Sequence, residues 1–141
     1  MVDLPHVFIG HGGGSPLWRE LKDYIEEFAV EVQTFESRPR FGRVAAAEIW
    51  KMLDWANFAF LVHTGEDETL DGALRARQNV VHETGMFQGK LGYDRAIVLR
   101  EDGVEGFSNT FGILEIKFPK GDIVPALGNV SRVLRDTFRG I

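Results

Sequence analysis

The strongest constraint in this sequence is a repeated change of period. Short apolar runs of strand length alternate from end to end with longer segments whose apolar residues recur every three to four positions. Residues 6–10 form an apolar run closed by Gly10, a first strand. Ser15 and Pro16 read as a helix N-cap and first-turn proline, and Leu17, Leu21, Tyr24, Ile25 and Phe28 make one buried stripe. Residues 30–36 alternate through Val30, Val32 and Thr34, which suits a strand with one wetter face at a sheet edge. Val44, Ala45, Ile49, Met52 and Leu53 mark a second helix, and residues 58–62 are apolar at every position, as in a strand covered on both faces. A third helix is predicted over 75–91, with Val80, Thr84, Phe87 and Leu91 turned inward. A fourth strand follows at 95–99, a fifth at 113–118, and a last helix striped by Ile123, Leu127, Val130, Leu134 and Phe138. The polar, glycine-rich stretch 101–112 is expected to be irregular.

Strand–helix alternation of this kind implies parallel strands joined by right-handed crossovers. The expected architecture is α/β: a flavodoxin-like three-layer sandwich around a five-stranded parallel sheet in the order 2-1-3-4-5. The 141 residues make one domain, 1–141, with no repeat or linker. Ligands of such sheets bind outside the carboxyl ends of the strands, here at the switch point between strands 1 and 3.

Composition removes several classes of function. A net charge of −5 with scattered basic residues argues against a nucleic-acid polymer or an anionic membrane as partner. The absence of cysteine removes disulfides, thiolate metal sites and a cysteine nucleophile. The amino-terminal residues lack a basic region before their apolar run, and no apolar run approaches a membrane span, so a cytoplasmic protein is expected. His6, His11, His63 and His82 show no metal-ligand spacing, and no metal is expected. Strands 1 and 3 end in Gly10-His11-Gly12 and His63-Thr64 rather than acidic residues, which excludes a phosphoacceptor receiver domain.

The loops that converge at the switch point are rich in chemistry. After strand 1 come Gly10, His11, Gly12, Gly13, Gly14 and Ser15, opening a helix. Glycines permit close backbone approach, and amides at a helix start attract phosphate. A tight turn that needs glycine only for its backbone angles is the other reading, and both stay open. The loop is neither a dinucleotide fingerprint, since Ser15 replaces the third glycine, nor a P-loop, since no lysine follows. After strand 3 come His63, Thr64, Glu66 and Asp67, and the third helix then carries Arg75, Arg77, Asn79, His82 and Glu83. Asn79 and Glu83 are four apart and share a face. Beside Val80, Val81 and Met86, Glu83 is expected to border the core rather than open water. Gly85 and Gly89, also four apart, would let this helix lie close on a neighbour.

The run RARQNVVHETGMFQGKLG, residues 75–92, resembles the pattern RxRxNVxxExGxFxGxLG of bacterial TIR-like domains described as predicted nucleotide-binding proteins, a domain also found fused to STING-like sensors in anti-phage defence. The resemblance covers nearly the whole chain. Residues 7–12 look like the family's opening strand, Gly42 and Arg43 with Glu48 like the start of its second helix, 58–67 like its third strand and acidic loop, and 112–118 like its final strand. Two features depart from the pattern: His82 stands where the family usually has an aromatic, and the first loop is richer in glycine.

The resemblance implies cleavage of NAD at the nicotinamide glycosidic bond by one glutamate, which falls at Glu83. Such a reaction needs no cofactor, NAD being the substrate. The candidate substrate contacts are Gly10, His11, Gly12, Gly13, Ser15, Thr64, Asp67, Arg77 and Asn79, with the glycine loop and Arg77 on the phosphates. Glu48, His82 and Trp50 are candidate supporting residues, Trp50 and Phe35 being ring-stacking partners or core. Self-association and a sensor domain or partner protein are further expectations of the resemblance. Two other functions remain: a catalytically silent TIR assembly module, and an N-glycosidase or ribosyltransferase acting on another nucleotide.

Overall fold

The computed structural model describes residues 4–35, 42–106 and 115–141, with the backbone alone for 42–46. The element order is β1 (His6–His11), α1 (Leu17–Ile25), β2 (Glu31–Thr34), α2 (Gly42–Trp55), β3 (Phe58–His63), β4 (Asp67–Glu68), β5 (Leu74–Arg75), α3 (Gln78–Leu91), β6 (Ala96–Glu101), β7 (Val104–Glu105), β8 (Glu115–Phe118), a short 3₁₀ turn (Val124–Ala126) and α4 (Leu127–Thr137). The main sheet has the order β2-β1-β3-β6-β8, and all four neighbouring pairs are parallel. Counted by its own strands this is 2-1-3-4-5, the expected doubly wound sheet. β3 is central and buried at every residue, while β2 lies at an edge with alternate residues exposed.

Strand alternation divides the core in two. Val7, Ile9, Phe58, Phe60, Val62, Ile97 and Leu99 face α1 and α4, where Leu21, Ile25, Ile123, Val130 and Leu134 meet them. Phe8, Ala59, Leu61 and Ala96 face α2 and α3, against Leu53, Val80 and Phe87. Ala59 and Ala96 are partners in the β3–β6 ladder, and their small side chains leave α3 room to approach. Phe87 of α3 then stacks on Phe8 at 4.5 Å between ring centroids.

Several boundaries differ from the sequence expectation. The third helix begins at Gln78, not near Arg75, because Leu74 and Arg75 pair antiparallel with β4 and parallel with β7 in a second, three-stranded sheet. Ladder hydrogen bonds on both sides override the helical preference of that stretch. The same sheet orders residues 104–105, so the start of the stretch expected to be irregular is instead a tight turn after β6 followed by β7; residues 107–112 lie outside the described residues. The fifth strand is described from Glu115, and residue 36 of the expected second strand lies outside the described residues. The first helix stops at Ile25, with Phe28 beyond it still packed on the core. Pro16 occupies the N-cap position, and Ser15 accepts a long 3.4 Å bond from the Leu17 amide. Gly85 and Gly89 are exposed, with nothing within 4 Å of the Cβ each lacks, so neither serves close helix packing.

Candidate functional site

Glu83 is the sixth residue of α3, on the stripe that turns Val80 and Phe87 to the sheet. It reaches the sheet over Gly10, the β1 position that follows Phe8 on that face. A Cβ on Gly10 would lie 2.9 Å from Glu83 Oε2, 2.7 Å from Leu61 and 3.3 Å from Phe8. The carboxylate therefore occupies the space a side chain at Gly10 would fill. Glu83 is 7% exposed, and its Oε2 has no hydrogen-bond partner among the described residues. Burial without compensating donors disfavours the charged form and pushes its pKa up to about 7. One helical turn earlier, Asn79 Nδ2 donates to the His11 carbonyl at 3.3 Å and ties the start of α3 to the end of β1.

Beside it on α3, Thr84 is hydrogen-bonded on both sides. The Thr84 hydroxyl donates to the Val80 carbonyl at 2.6 Å and so accepts the 2.9 Å bond from His63 Nε2. Burial holds the His63 pKa down at about 4, leaving the ring neutral.

A cleft of about 400 Å³ opens beyond the carboxyl ends of β1, β3 and β6, lined by Gly14, Ser15, Thr64, Gly65, Glu66, Arg77 and Glu101. This is the β1/β3 switch point, and the volume suits a small ligand. Arg77, at the N-cap of α3, is half exposed; it donates to the Gly12 carbonyl at 3.4 Å and lies 3.8 Å from Asp67. Glu83 does not line this cleft. The loop leads from Gly10, beside Glu83, to Gly14 at the cleft, a span of roughly 14 Å at most.

The candidate residues thus divide. Ser15, Thr64 and Arg77 gather at the cleft, where Gly14, not among the candidates, lies beside them; Asp67 joins them through Arg77, and Gly10 and Asn79 accompany Glu83. Gly13 has φ 90°, a backbone angle that itself favours glycine. His11 turns away: its ring stacks on Trp18 at 4.0 Å and its Nε2 bonds the Phe35 carbonyl at 2.9 Å. Glu48 is half-buried on α2, and His82 is exposed. Trp50 is 63% exposed, so it belongs to no core, whereas Phe35 packs edge-on against Phe8. Among the described residues no three histidine, aspartate or glutamate side chains gather as a metal site, and no helix is long and apolar enough to cross a membrane.

Sequence reasoning missed the parts played by two carboxylates. Glu101 accepts from the Gly65 amide at 3.0 Å and the Gly121 amide at 2.9 Å, pinning the loop after β3 to the loop after β8. Its place at the end of β6, on the ligand-bearing edge, was the available signal. Glu66 lies against Gly12 and Gly14, and a Cβ on either glycine would overlap its carboxylate. The Gly-x-Gly spacing signals a close approach but not what approaches.

The chain is a doubly wound α/β domain with a cleft at its switch point and, beside the first strand, a buried carboxylate whose Oε2 has no hydrogen-bond partner among the described residues. Residues 6–120 match the sequence model of the CAP12/Pycsar effector protein TIR domain, and the chain belongs to that family. It is 30% identical over 113 residues to the uncharacterized protein YuaY of Escherichia coli (strain K12), covering 77% of this chain and 38% of that protein. It is 33% identical over 96 residues to the Pycsar effector protein BcPycTIR of Burkholderia cepacia, covering 62% of this chain and 32% of that protein. The chain thus spans about a third of the length of these relatives.

Proposed function

We propose that this domain is an anti-phage effector that hydrolyses NAD, with Glu83 as the catalytic carboxylate. The observation that carries the reading is the Glu83 carboxylate itself, buried, with no partner for Oε2 among the described residues, and set against the one β1 position without a side chain. A carboxylate held this way is poised to stabilise a cation that arrives with the ligand. In the proposed reaction the bond between ribose C1′ and the pyridinium nitrogen breaks, and its electron pair leaves with neutral nicotinamide. The positive charge that develops on the ribose is stabilised by Glu83 in a low-dielectric site, where such an interaction is strongest. Water adds to C1′ and releases a proton, giving ADP-ribose. The leaving group is already cationic and needs no general acid.

The glycine loop and Arg77 are assigned to the pyrophosphate, with Ser15 and Thr64 beside it in the cleft. Membership in the CAP12/Pycsar TIR family supports an effector role, and activation by self-association, with a sensor domain or partner protein, is part of the same reading. The test is nicotinamide release by wild type, Glu83→Gln and Glu48→Gln under common clustering conditions, with a melting curve for each. Glu83→Gln keeps shape and removes charge, and a loss of at least about a hundredfold, roughly 3 kcal/mol of barrier, is expected. Full activity in Glu83→Gln would refute the assignment, and activity lost only in Glu48→Gln would move the site to α2.

A further inference from the structure

Three glycines in the first loop serve two different ends. Gly13 has φ 90° and needs glycine for its backbone, whereas neither Gly12 nor Gly14 has a positive φ. What Gly12 and Gly14 share is the Glu66 carboxylate: Oε2 lies where a Cβ on Gly12 would be, and Oε1 where a Cβ on Gly14 would be. Both oxygens are buried, and neither has a hydrogen-bond partner among the described residues. Arg77 flanks the same spot, its Nη2 3.6 Å from the Cβ position of Gly14, but its hydrogen bond goes to the Gly12 carbonyl and its acidic neighbour is Asp67. The chain has placed a carboxylate in the space left where Gly12 and Gly14 lack side chains, at the mouth of a cleft, with no hydrogen-bond donor to it among the described residues.

We propose that Glu66 is an internal competitor for the phosphate subsite: with no ligand bound its carboxylate fills the recess at Gly12 and Gly14, and an incoming pyrophosphate displaces it. This rests on the reading of the glycine loop as a pyrophosphate site. A buried carboxylate without donors is in a poor state relative to water, so little holds it against a ligand that brings better contacts. Displacement returns the carboxylate to solvent, and the ligand's oxygens take its place beside Arg77. The apparent affinity is then reduced by the fraction of molecules whose recess is free, so removing the competitor raises affinity without adding a contact. It also gives a physical use for a glycine-rich loop in which only one of these three glycines is required by its backbone angle.

The experiment is calorimetric titration of inorganic pyrophosphate, at fixed ionic strength, into wild type, Glu66→Ala, Glu66→Gln and the double variant Gly12→Ala/Glu66→Ala, with a melting curve for each. Glu66→Ala is expected to bind pyrophosphate at least tenfold more tightly, Glu66→Gln to fall between it and wild type, and the double variant to lose the gain because a methyl group refills the recess. Melting temperatures of the Glu66 variants are expected at or above that of wild type. Unchanged or weaker binding in both single variants overturns the proposal, as does a lowered melting temperature without a gain in affinity, which would make Glu66 a structural strut. Tighter pyrophosphate binding in a protein that releases no nicotinamide under the clustering conditions would uphold the competitor and refute the proposed function.

Discussion

The carboxylate of Glu83 rests on the bare backbone of Gly10, so that a β-carbon there would lie 2.9 Å from Oε2 and 2.7 Å from Leu61. The glycine is a spatial requirement, since its φ is not positive. Gly10→Ala is expected to destabilise the fold by about 1–3 kcal/mol through overpacking and to dislodge Glu83. Urea melts paired with nicotinamide release check this. A variant with wild-type stability and turnover would show that the contact positions nothing.

The raised Glu83 pKa sets a pH dependence of rate. The ionised form is the one proposed to act, so kcat/KM should rise with pH through an apparent pKa near 7, the folded value of Glu83. A cationic substrate favours the ionised form, so the corresponding limb of kcat should lie at lower pH. A profile flat from pH 5 to 8, these bounds being about two units below and one above that pKa, would remove Glu83 from the mechanism.

Stability should carry the opposite sign. A carboxyl whose pKa rises from 4.5 to about 7 on folding contributes most below 4.5, and that contribution is lost as pH rises through 7, by about 3 kcal/mol at most. His63, lowered from 6.5 to about 4, opposes it: its contribution is full above 6.5 and is lost as pH falls toward 4. The two nearly cancel between 4.5 and 6.5. Glu83→Gln should therefore be more stable than wild type at pH 8, about one unit above the folded pKa, and should expose the His63 slope below 6.5. Denaturant melts across pH, taken as a difference between the two proteins, measure this directly.

Gly12 and Gly13, though adjacent, should respond differently to alanine. Gly13→Ala forces φ 90° on a residue with a side chain and should cost about 1 kcal/mol or more of stability. Gly12→Ala meets the flexible end of Glu66, which can swing away, so stability should change little while pyrophosphate binding weakens. Equal melting-temperature losses in the two variants would contradict this division.

Glu101→Ala removes the acceptor shared by the Gly65 and Gly121 amides and should cost about 2 kcal/mol. Hydrogen exchange at those two amides should quicken more than at Val98, mid-strand in β6. Uniform acceleration across β6 would indicate general unfolding instead.

Much of this protein was legible in its sequence because the relevant signals are local. Period-two and period-3.6 patterning marked all five strands of the main sheet, its central strand 58–62 and the four helices, since burial of one face selects the residues on it. The shared face of Asn79 and Glu83 followed from their spacing, and the apolar neighbours of Glu83 anticipated its burial. Contacts between residues far apart in the chain were not legible. That Leu74 and Arg75 form a strand depends on β7, about thirty residues on, which local propensity does not see. That Gly10 makes room for Glu83, that Glu66 fills the recess of Gly12 and Gly14, and that Glu101 joins two loops are facts of the folded arrangement alone. Sequence determines which residues reach the ligand-bearing edge, because strand order and direction follow from patterning. Only the tertiary structure decides which of them touch, because that depends on ångström-scale packing between elements that the chain brings together from a distance.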